Sequence, residues 1–312
     1  MLDVLPVELR LNIAEHTAQL LVYEDRPVVL QLALISRSIA RVVRPILYQC
    51  VIVTHNNLHH FILLGSCDDI LKLARRMTVC TQPDGTHRHT MAKDKVMTVL
   101  ERWNPPPGGS HLNIPWNFLH DVITSPLGKQ LNIRGIDIRF MAIQGALVGY
   151  KRVPPDITRQ LTHVTGYIPT LRASGTLSDT HNPDDTPGGW AHMIVSALPA
   201  LTHLGLYLVD VNERNPNDQS NEDFEINCQM LHALRELNQG LHICIRVGGV
   251  YLKRRAAVEE LIGSLSGPLL TVWYDVKPIL TWSEEEAREV DDAWRGRTIW
   301  SGAAQLPADD LR

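Results

Sequence analysis

The chain has 312 residues, of which 44% are hydrophobic and 21% are charged, and its formal net charge at pH 7 is -4. This length and composition are typical of a globular protein with one large domain, or with a small module and a larger domain. The slight acidic surplus and an aromatic content of 6% argue against a nucleic-acid partner, which would favour a basic stripe and stacking aromatic residues.

The cysteines are odd in number and widely scattered: Cys50, Cys67, Cys80, Cys228 and Cys244. This pattern predicts free thiols in a reducing compartment rather than a disulfide framework. The first residues lack the basic and long apolar segments of a signal peptide, and no apolar stretch has the length needed to cross a bilayer. We therefore expect an intracellular protein, in the cytoplasm or the nucleus, that does not insert into membranes.

The first fifty residues predict three short helices. The first helix is expected to begin near Pro6, because proline is well tolerated in the first helical turn. Asp3 or a residue just after it is expected to cap this turn. The apolar residues of the helix recur at helical spacing, which predicts one buried face made of Leu9, Ile13, Leu20 and Leu21.

The second helix is predicted over residues 28–35, after a polar break at 24–27. Four of its side chains are expected to be buried: Leu30, Leu32, Leu34 and Ile35. Ser36 is the expected N-cap of the third helix, which carries Ile39 and Val42-Val43 and is predicted to end near Pro45. Three helices of this length make a thin core, so the module is expected to leave some apolar surface uncovered.

After Tyr48 short apolar strands alternate with helices, a pattern typical of parallel crossovers and of the α/β class. Strands are predicted at residues 51–53, 77–81, 131–140, 161–168, 201–209, 241–247 and 269–276. Helices are predicted at residues 57–75, 116–124, 190–198, 226–238, 255–265 and 283–294. Three polar loops, expected to be solvated, lie at residues 104–109, 179–189 and 212–223.

The strand sequences suggest repeats. Leu201-x-x-Leu204-x-Leu206 matches the core of a leucine-rich repeat, and the segment 133–138 is a looser match. Strand starts lie about 30 to 40 residues apart, which is longer than the ~20–29 residues of compact leucine-rich repeats. We therefore predict an irregular leucine-rich-repeat-like α/β solenoid over residues 54–306, followed by a frayed tail at 307–312. A non-solenoid α/β domain is the alternative.

Motifs for catalysis and metal binding are largely missing. The sequence has no glycine-rich nucleotide-binding motif, no Gly-x-Ser-x-Gly elbow and no His-Glu-x-x-His. His55, His59 and His60 can place two imidazoles on one helical face, but no acid or cysteine accompanies them, and zinc needs three or four ligands. His87 and His89 are expected to be surface residues. We predict no metal site, no cofactor and no catalytic residue, with an enzyme of unrecognised type as a rival hypothesis.

The N-terminal segment also carries an ordered set of short motifs, formed by Leu5, Pro6, Glu8, Leu9, Ile13, Leu32, Leu34, Ile35, Ser36, Arg37, Pro45, Leu47 and Tyr48. They make an opening Leu-Pro-x-Glu-Leu, a central Leu-x-Leu-Ile-Ser-Arg and a closing Pro-Ile-Leu-Tyr. This set resembles the F-box, the adaptor-docking module of SCF-type ubiquitin ligases, in the form common in large fungal families. The rest of the chain resembles the degenerate leucine-rich regions of the same proteins.

The resemblance implies a non-catalytic, substrate-recruiting subunit. An F-box-like module at residues 1–53 would dock the acidic SCF adaptor through the residues of that set, the adaptor would bind a cullin scaffold, and the repeat domain would hold a target protein. Arg37, Arg41 and Arg44, with no acidic residue between them, would steer binding toward an acidic partner. The alternative is a structural or interaction repeat protein in which the N-terminal segment only caps the solenoid.

Overall fold

The computed structural model describes residues 5–22, 25–64, 67–80, 92–106, 108–142, 147, 153–167, 186–210, 221–249, 255–265 and 269–274. Within these ranges the chain divides into two compact units, the first ending at His111 and the second beginning at Leu112. The domain limits that we predict from the sequence, 1–53 and 54–306, stay predictions.

The first unit begins with helices and continues with alternating strands and helices. Its elements are α1 (Val7–Leu21), α2 (Arg26–Ile35), α3 (Arg37–Leu47), β1 (Cys50–Thr54), α4 (Leu58–Leu63), α5 (Cys67–Leu73), β2 (Arg76–Cys80) and α6 (Lys93–Arg102). β1 and β2 are parallel, with Cys50 opposite Arg76. Strand β3 (Ser110–Pro115) begins in this unit and ends in the next one.

Side-chain caps define where α2 and α3 begin. The Asp25 carboxylate accepts a hydrogen bond of 3.3 Å from the Val28 N–H, and Pro27 lies in the first turn of α2. The Ser36 hydroxyl accepts one of 3.2 Å from the Ile39 N–H, so the predicted cap of α3 is confirmed. The helix continues past Pro45, its predicted end, to Leu47.

The helices α1, α2 and α3 pack around small and β-branched side chains. The buried core residues are Ala14, Ala18, Val22, Val29, Val43 and Leu47. Alanine and valine let short helices approach closely, and several bulkier leucines of α1 and α2 then lie outside the contact, whereas Leu47 belongs to it.

The predicted buried faces of α1 and α2 are therefore wrong in part. On α1, Leu9, Ile13 and Leu20 are 49%, 47% and 60% exposed, whereas Leu21 packs against the core. On α2, Val29 is buried, Leu32 is half-buried, and Leu30, Leu34 and Ile35 are 43%, 84% and 62% exposed. The segment Arg26–Ile35 is apolar on nearly all sides, so its periodicity does not single out one buried face.

The predicted helix at 57–75 is two helices, α4 and α5, because Leu64 adopts an extended backbone at the end of α4. Arg102 of α6 joins their ends. Its guanidinium lies 2.6 Å from the Asp68 carboxylate and donates hydrogen bonds to the carbonyl oxygens of Phe61 and Ile62. These bonds satisfy carbonyls at a helix end that have no partner within the helix.

The second unit continues the alternation of strands and helices. It contains α7 (Trp116–Thr124), α8 (Pro126–Gln130), β4 (Ile133–Ala142), α9 (Pro155–Thr158), β5 (His163–Tyr167), α10 (Pro187–Ala197), β6 (His203–Asp210), α11 (Asn221–Leu237), β7 (His242–Gly249), α12 (Arg255–Ser264) and β8 (Leu270–Tyr274).

Strand order follows chain order, β1-β2-β3 in the first unit and β3-β4-β5-β6-β7-β8 in the second. The pairs β4/β5, β5/β6, β6/β7 and β7/β8 are all parallel. The predicted α/β class is confirmed, and so is each strand predicted from residue 51 onward. Strand β3 was not predicted, because its sequence Ser-His-Leu-Asn-Ile-Pro has only two strongly apolar residues and ends in proline.

Several predicted features lie outside the described residues. These are the cap at Asp3, the pair His87 and His89, the helix at 283–294 and the tail at 307–312. Most of the loops predicted at 179–189 and 212–223 also lies there, whereas their last residues, 187–189 and 221–223, belong to α10 and α11. In the part of the chain that the structure describes, all five cysteines are free thiols, and no helix has the length and apolar character that crossing a bilayer would require.

Candidate partner-binding surface

Large apolar side chains of α1 and α2 are exposed to solvent, with exposed fractions from 43% to 84%. We call this set the α1–α2 apolar surface; its members are Val7, Leu9, Ile13, Leu20, Leu30, Leu34 and Ile35. Exposed apolar residues that occur singly are normal, whereas a contiguous apolar patch marks an interaction site, and we take this set from two neighbouring helices as the candidate. The surface follows from the thin core, because alanines and valines occupy the helix contacts.

Most residues of the predicted adaptor-binding set are accessible. Leu5, Leu32 and Tyr48 are half-buried. Leu47 is only 2% exposed and belongs to the core of α1–α3, so it cannot contact a partner while the helices are packed. The exposed members are Pro6, Glu8, Leu9, Ile13, Leu34, Ile35, Ser36, Arg37 and Pro45.

Sequence reasoning missed three members of the α1–α2 apolar surface: Val7, Leu20 and Leu30. Leu20 and Leu30 lie on faces that the spacing predicts to be buried, and Val7 stands at the variable position of the opening motif. The signal that could have identified them is the pairing of Ala14 with Ala18, since small residues four positions apart mark the closely packed face of a helix.

Helix α3, which follows α2 in the sequence, carries exposed positive charges. Arg37, Arg41 and Arg44 are exposed and are spaced by four and three residues, so they follow one side of the helix. Val43 and Leu47 are buried in the core. The helix contains no acidic residue, so nothing within it offsets the three guanidinium charges.

A polar pocket of about 270 Å³ lies at the beginning of β1 and β2 in the first unit. It is lined by Gln49, Cys50, Arg75, Arg76, Gly108, Gly109 and His111, and we call it the Arg75–Arg76 pocket. The backbone builds it: the Gln49 carbonyl accepts hydrogen bonds from the N–H groups of Arg75 and Arg76, at 2.9 and 3.0 Å. The His111 N–H donates to the Arg75 carbonyl at 3.0 Å.

Cys50 is one of the residues in the wall of this pocket. Burial raises the pKa of Cys50, although the charges of Arg76 and Arg26 act in the opposite direction. The thiol is therefore protonated at neutral pH and adds no negative charge to the pocket. The sequence did not predict this pocket. Residues 104–109 were expected to form a solvated loop, and Arg75 was expected to be the last residue of a helix.

A third feature is a row of imidazoles in the second unit. His163, His203 and His242 are the first residues of β5, β6 and β7, and the parallel register places each opposite the next. The ring centroids of His163 and His203 are 4.2 Å apart, and those of His203 and His242 are 5.1 Å apart. Burial and the neighbouring His242 lower the pKa of His203. The signal in the sequence is the repeated Leu-Thr-His at 161–163 and 201–203.

Metal ligands do not converge in the described part of the chain, where no three His, Cys, Asp or Glu side chains are placed to hold an ion. His59 and His60 lie together, with ring centroids 3.8 Å apart, and both are exposed. Compared with known proteins, the chain matches no family model, no curated protein and no solved structure.

Proposed function

We propose that this protein is a non-catalytic, substrate-recruiting subunit of an SCF-type ubiquitin ligase. In this proposal α1, α2 and α3 dock the acidic SCF adaptor, which binds the cullin scaffold, and the strand-rich part of the chain holds a target protein. The observation that carries the proposal is the α1–α2 apolar surface, formed by the same short segment whose motifs resemble an F-box.

The apolar side chains supply the free energy of docking. Leu34 and Ile35 are 84% and 62% exposed, so a partner that covers them removes most of their surface from water. Fully burying a side chain of this size contributes about 1.5–3 kcal/mol, and a few such anchors dominate a typical interface. Leu9 and Ile13, at 49% and 47%, add further area.

The arginines of α3 supply selectivity for an acidic partner. Complementary charges speed association and disfavour wrong partners more than they add affinity. Arg37, Arg41 and Arg44 are exposed, and their attraction to a carboxylate-rich surface is screened by salt. The association rate with the adaptor should therefore fall as ionic strength rises.

The strand order supports the repeat-like part of the proposal. From β5 to β8 each strand is followed in sequence by one described helix before the next strand begins, and each strand pairs in parallel with its chain neighbour. In a solenoid each repeat contacts only its neighbours, which is the pattern that this order produces. We propose an irregular leucine-rich-repeat-like solenoid that presents the target protein.

The decisive experiment is binding of the purified SCF adaptor by variants of two equally exposed leucines. Leu34 on α2 is 84% exposed and Leu63 on α4 is 76% exposed. We expect Leu34→Gln to weaken adaptor binding at least about tenfold, because it removes an apolar anchor. Leu63→Gln is the matched control and should bind like the wild type. Both variants should keep the wild-type Tm.

Two results would contradict the proposal. Wild-type protein that does not bind the adaptor at micromolar concentration would remove the docking function. A Leu34→Gln variant with a lowered Tm would favour the alternative that these helices only cap the repeats, because the leucine would then stabilise the fold itself.

A further inference from the structure

We propose that the Arg75–Arg76 pocket binds a small phosphate-bearing anion in free solution, either inorganic phosphate or a phosphate monoester. This site lies on other residues than the α1–α2 apolar surface and does not depend on the proposed docking function.

The lining of the pocket is cationic. Arg75, Arg76, His111 and Gln49 line it, and none of the described lining residues is an Asp or a Glu. Arg75 is exposed and Arg76 is half-buried. Among the described residues, no Asp or Glu lies within ion-pair distance of either guanidinium. No described carboxylate therefore offsets their positive charge.

The charge of the lining favours phosphate over a simple carboxylate. A phosphate monoester carries about -1.5 to -2 charges at pH 7, which matches the two guanidinium groups, whereas an acetate-like ligand carries only one. Arginine presents its N–H groups as a rigid fork that bonds two phosphate oxygens at once. Two adjacent arginines, Arg75 and Arg76, can share the three terminal oxygens of one phosphate group.

The glycines open the pocket to an anion. Gly108 and Gly109 have φ angles of 111° and 95°, in the left-handed region that side chains rarely adopt. Neither glycine carries a side chain that could shield its backbone N–H group, and backbone N–H groups are donors that concave anion sites use. A Cβ atom at Gly108 would meet nothing within 4 Å, so the space beside it is open.

The size of the pocket limits the ligand. Its volume of about 270 Å³ lies just below the ~300–1,000 Å³ of pockets that hold drug-sized molecules. A phosphate group with a short organic substituent fits this space. The protonated Cys50 thiol does not repel it.

The test is a calorimetric titration of the full chain with inorganic phosphate, glycerol phosphate and acetate. We expect saturable binding of inorganic phosphate and glycerol phosphate and none of acetate. Arg76→Gln should weaken phosphate binding at least about tenfold, because it removes one charge-assisted pair, and Arg76→Lys should restore only part of it. Arg159→Gln, an exposed arginine of the second unit, is the control and should bind like the wild type.

Exposed Arg75 gives a second variant, so the test does not depend on the folding of Arg76→Gln. Arg75→Gln should keep the wild-type circular dichroism spectrum and still lose phosphate affinity. The proposal is overturned if the wild type shows no saturable phosphate binding, if both glutamine variants bind like the wild type, or if acetate binds as tightly. Binding only to phosphatidic acid vesicles, with no binding of glycerol phosphate, would also overturn it.

Discussion

Gly128 lies in α8, close to the end of α7. A Cβ atom at this position would come within 2.9 Å of the Ile123 Cα atom and of the Val122 carbonyl oxygen. Both are backbone atoms, so no side-chain rotation can relieve the contact. The close approach of α7 and α8 therefore requires glycine here, although in the sequence Gly128 is one glycine among 20.

We expect Gly128→Ala to lower the free energy of unfolding by about 1–3 kcal/mol, because the added methyl group forces the backbone of α7 away. Urea denaturation measures this change. Gly263→Ala is the matched control: it lies in α12, where a Cβ atom would meet nothing within 4 Å, and it should be neutral or stabilise by up to about 1 kcal/mol, since alanine favours helix more than glycine. Equal effects of the two changes would contradict the role of the contact.

The role of a single residue could be predicted when it depends only on residues close in the sequence. The cap at Ser36 depends only on residues three positions away, and its prediction is confirmed. The burial of Leu34 depends on which side of α2 meets α1 and α3, and its prediction is wrong. The segment Arg26–Ile35 is apolar on nearly all sides, so the packing of α2 against α1 and α3 decides which side chains are buried.

At the scale of elements, α1, α2 and α3 form a module in which leucines have two different roles. Leu47 at the end of α3 is 2% exposed and completes the core, whereas Leu34 at the end of α2 is 84% exposed. Both belong to the set of residues that resembles an F-box. The first can act only by holding the helices together, and the second is available to a partner.

Leu47→Ala should therefore lower the free energy of unfolding by about 2–5 kcal/mol, because it leaves a cavity in a close-packed core. Leu34→Ala should change it by no more than about 0.5 kcal/mol, as is usual for surface positions. Chemical denaturation of the two variants measures both values. A small loss for Leu47→Ala would mean that the core of the three helices can collapse around the missing side chain.

The elements themselves were largely predictable. Buried parallel strands read as short apolar runs between helices, and those predicted from residue 131 onward each correspond to a strand between β4 and β8. Strand β3 and the division between α4 and α5 could not be read, since the first alternates weakly and the second depends on the backbone at Leu64. For the α1–α2 apolar surface, the sequence indicated which segment of the chain forms it. It did not indicate which side of each helix is exposed.

At the scale of the whole molecule, the parallel register of the strands places histidines that are far apart in the sequence next to one another. His163, His203 and His242 lie one beside the other because each begins its strand. Backbone hydrogen bonds continue just before these strands: the Thr162 N–H donates to the Arg134 carbonyl at 2.8 Å, and the Thr202 N–H donates to the Thr162 carbonyl at 3.0 Å. A proton on His203 is disfavoured by burial and by the neighbouring His242, so the pKa of His203 is lowered.

This row predicts that the protein loses stability in mild acid. The pKa of His203 is lowered from 6.5 in the folded state by burial and by His242, so below pH 6.5 the unfolded chain binds more protons than the folded one. The free energy of unfolding should then fall as the pH drops from about 6.5 through the lowered pKa of the folded state. Denaturation with urea at about pH 7.5 and pH 5.5 measures the difference.

His203→Gln should reduce this loss, because the central imidazole of the row is gone. His192→Gln, a change at an exposed histidine of α10, is the control and should keep the wild-type pH dependence. If both variants lose the same stability in acid as the wild type, the row of histidines is not its cause.

The agreement of strand order with chain order has a consequence for how the second unit is made. From β4 to β8 every strand pairs with the strand that was synthesised just before it. Each of these strands thus emerges after the strand to which it is added, and none of them depends on a partner from a distant part of the chain. Such a fold can grow one strand at a time during synthesis.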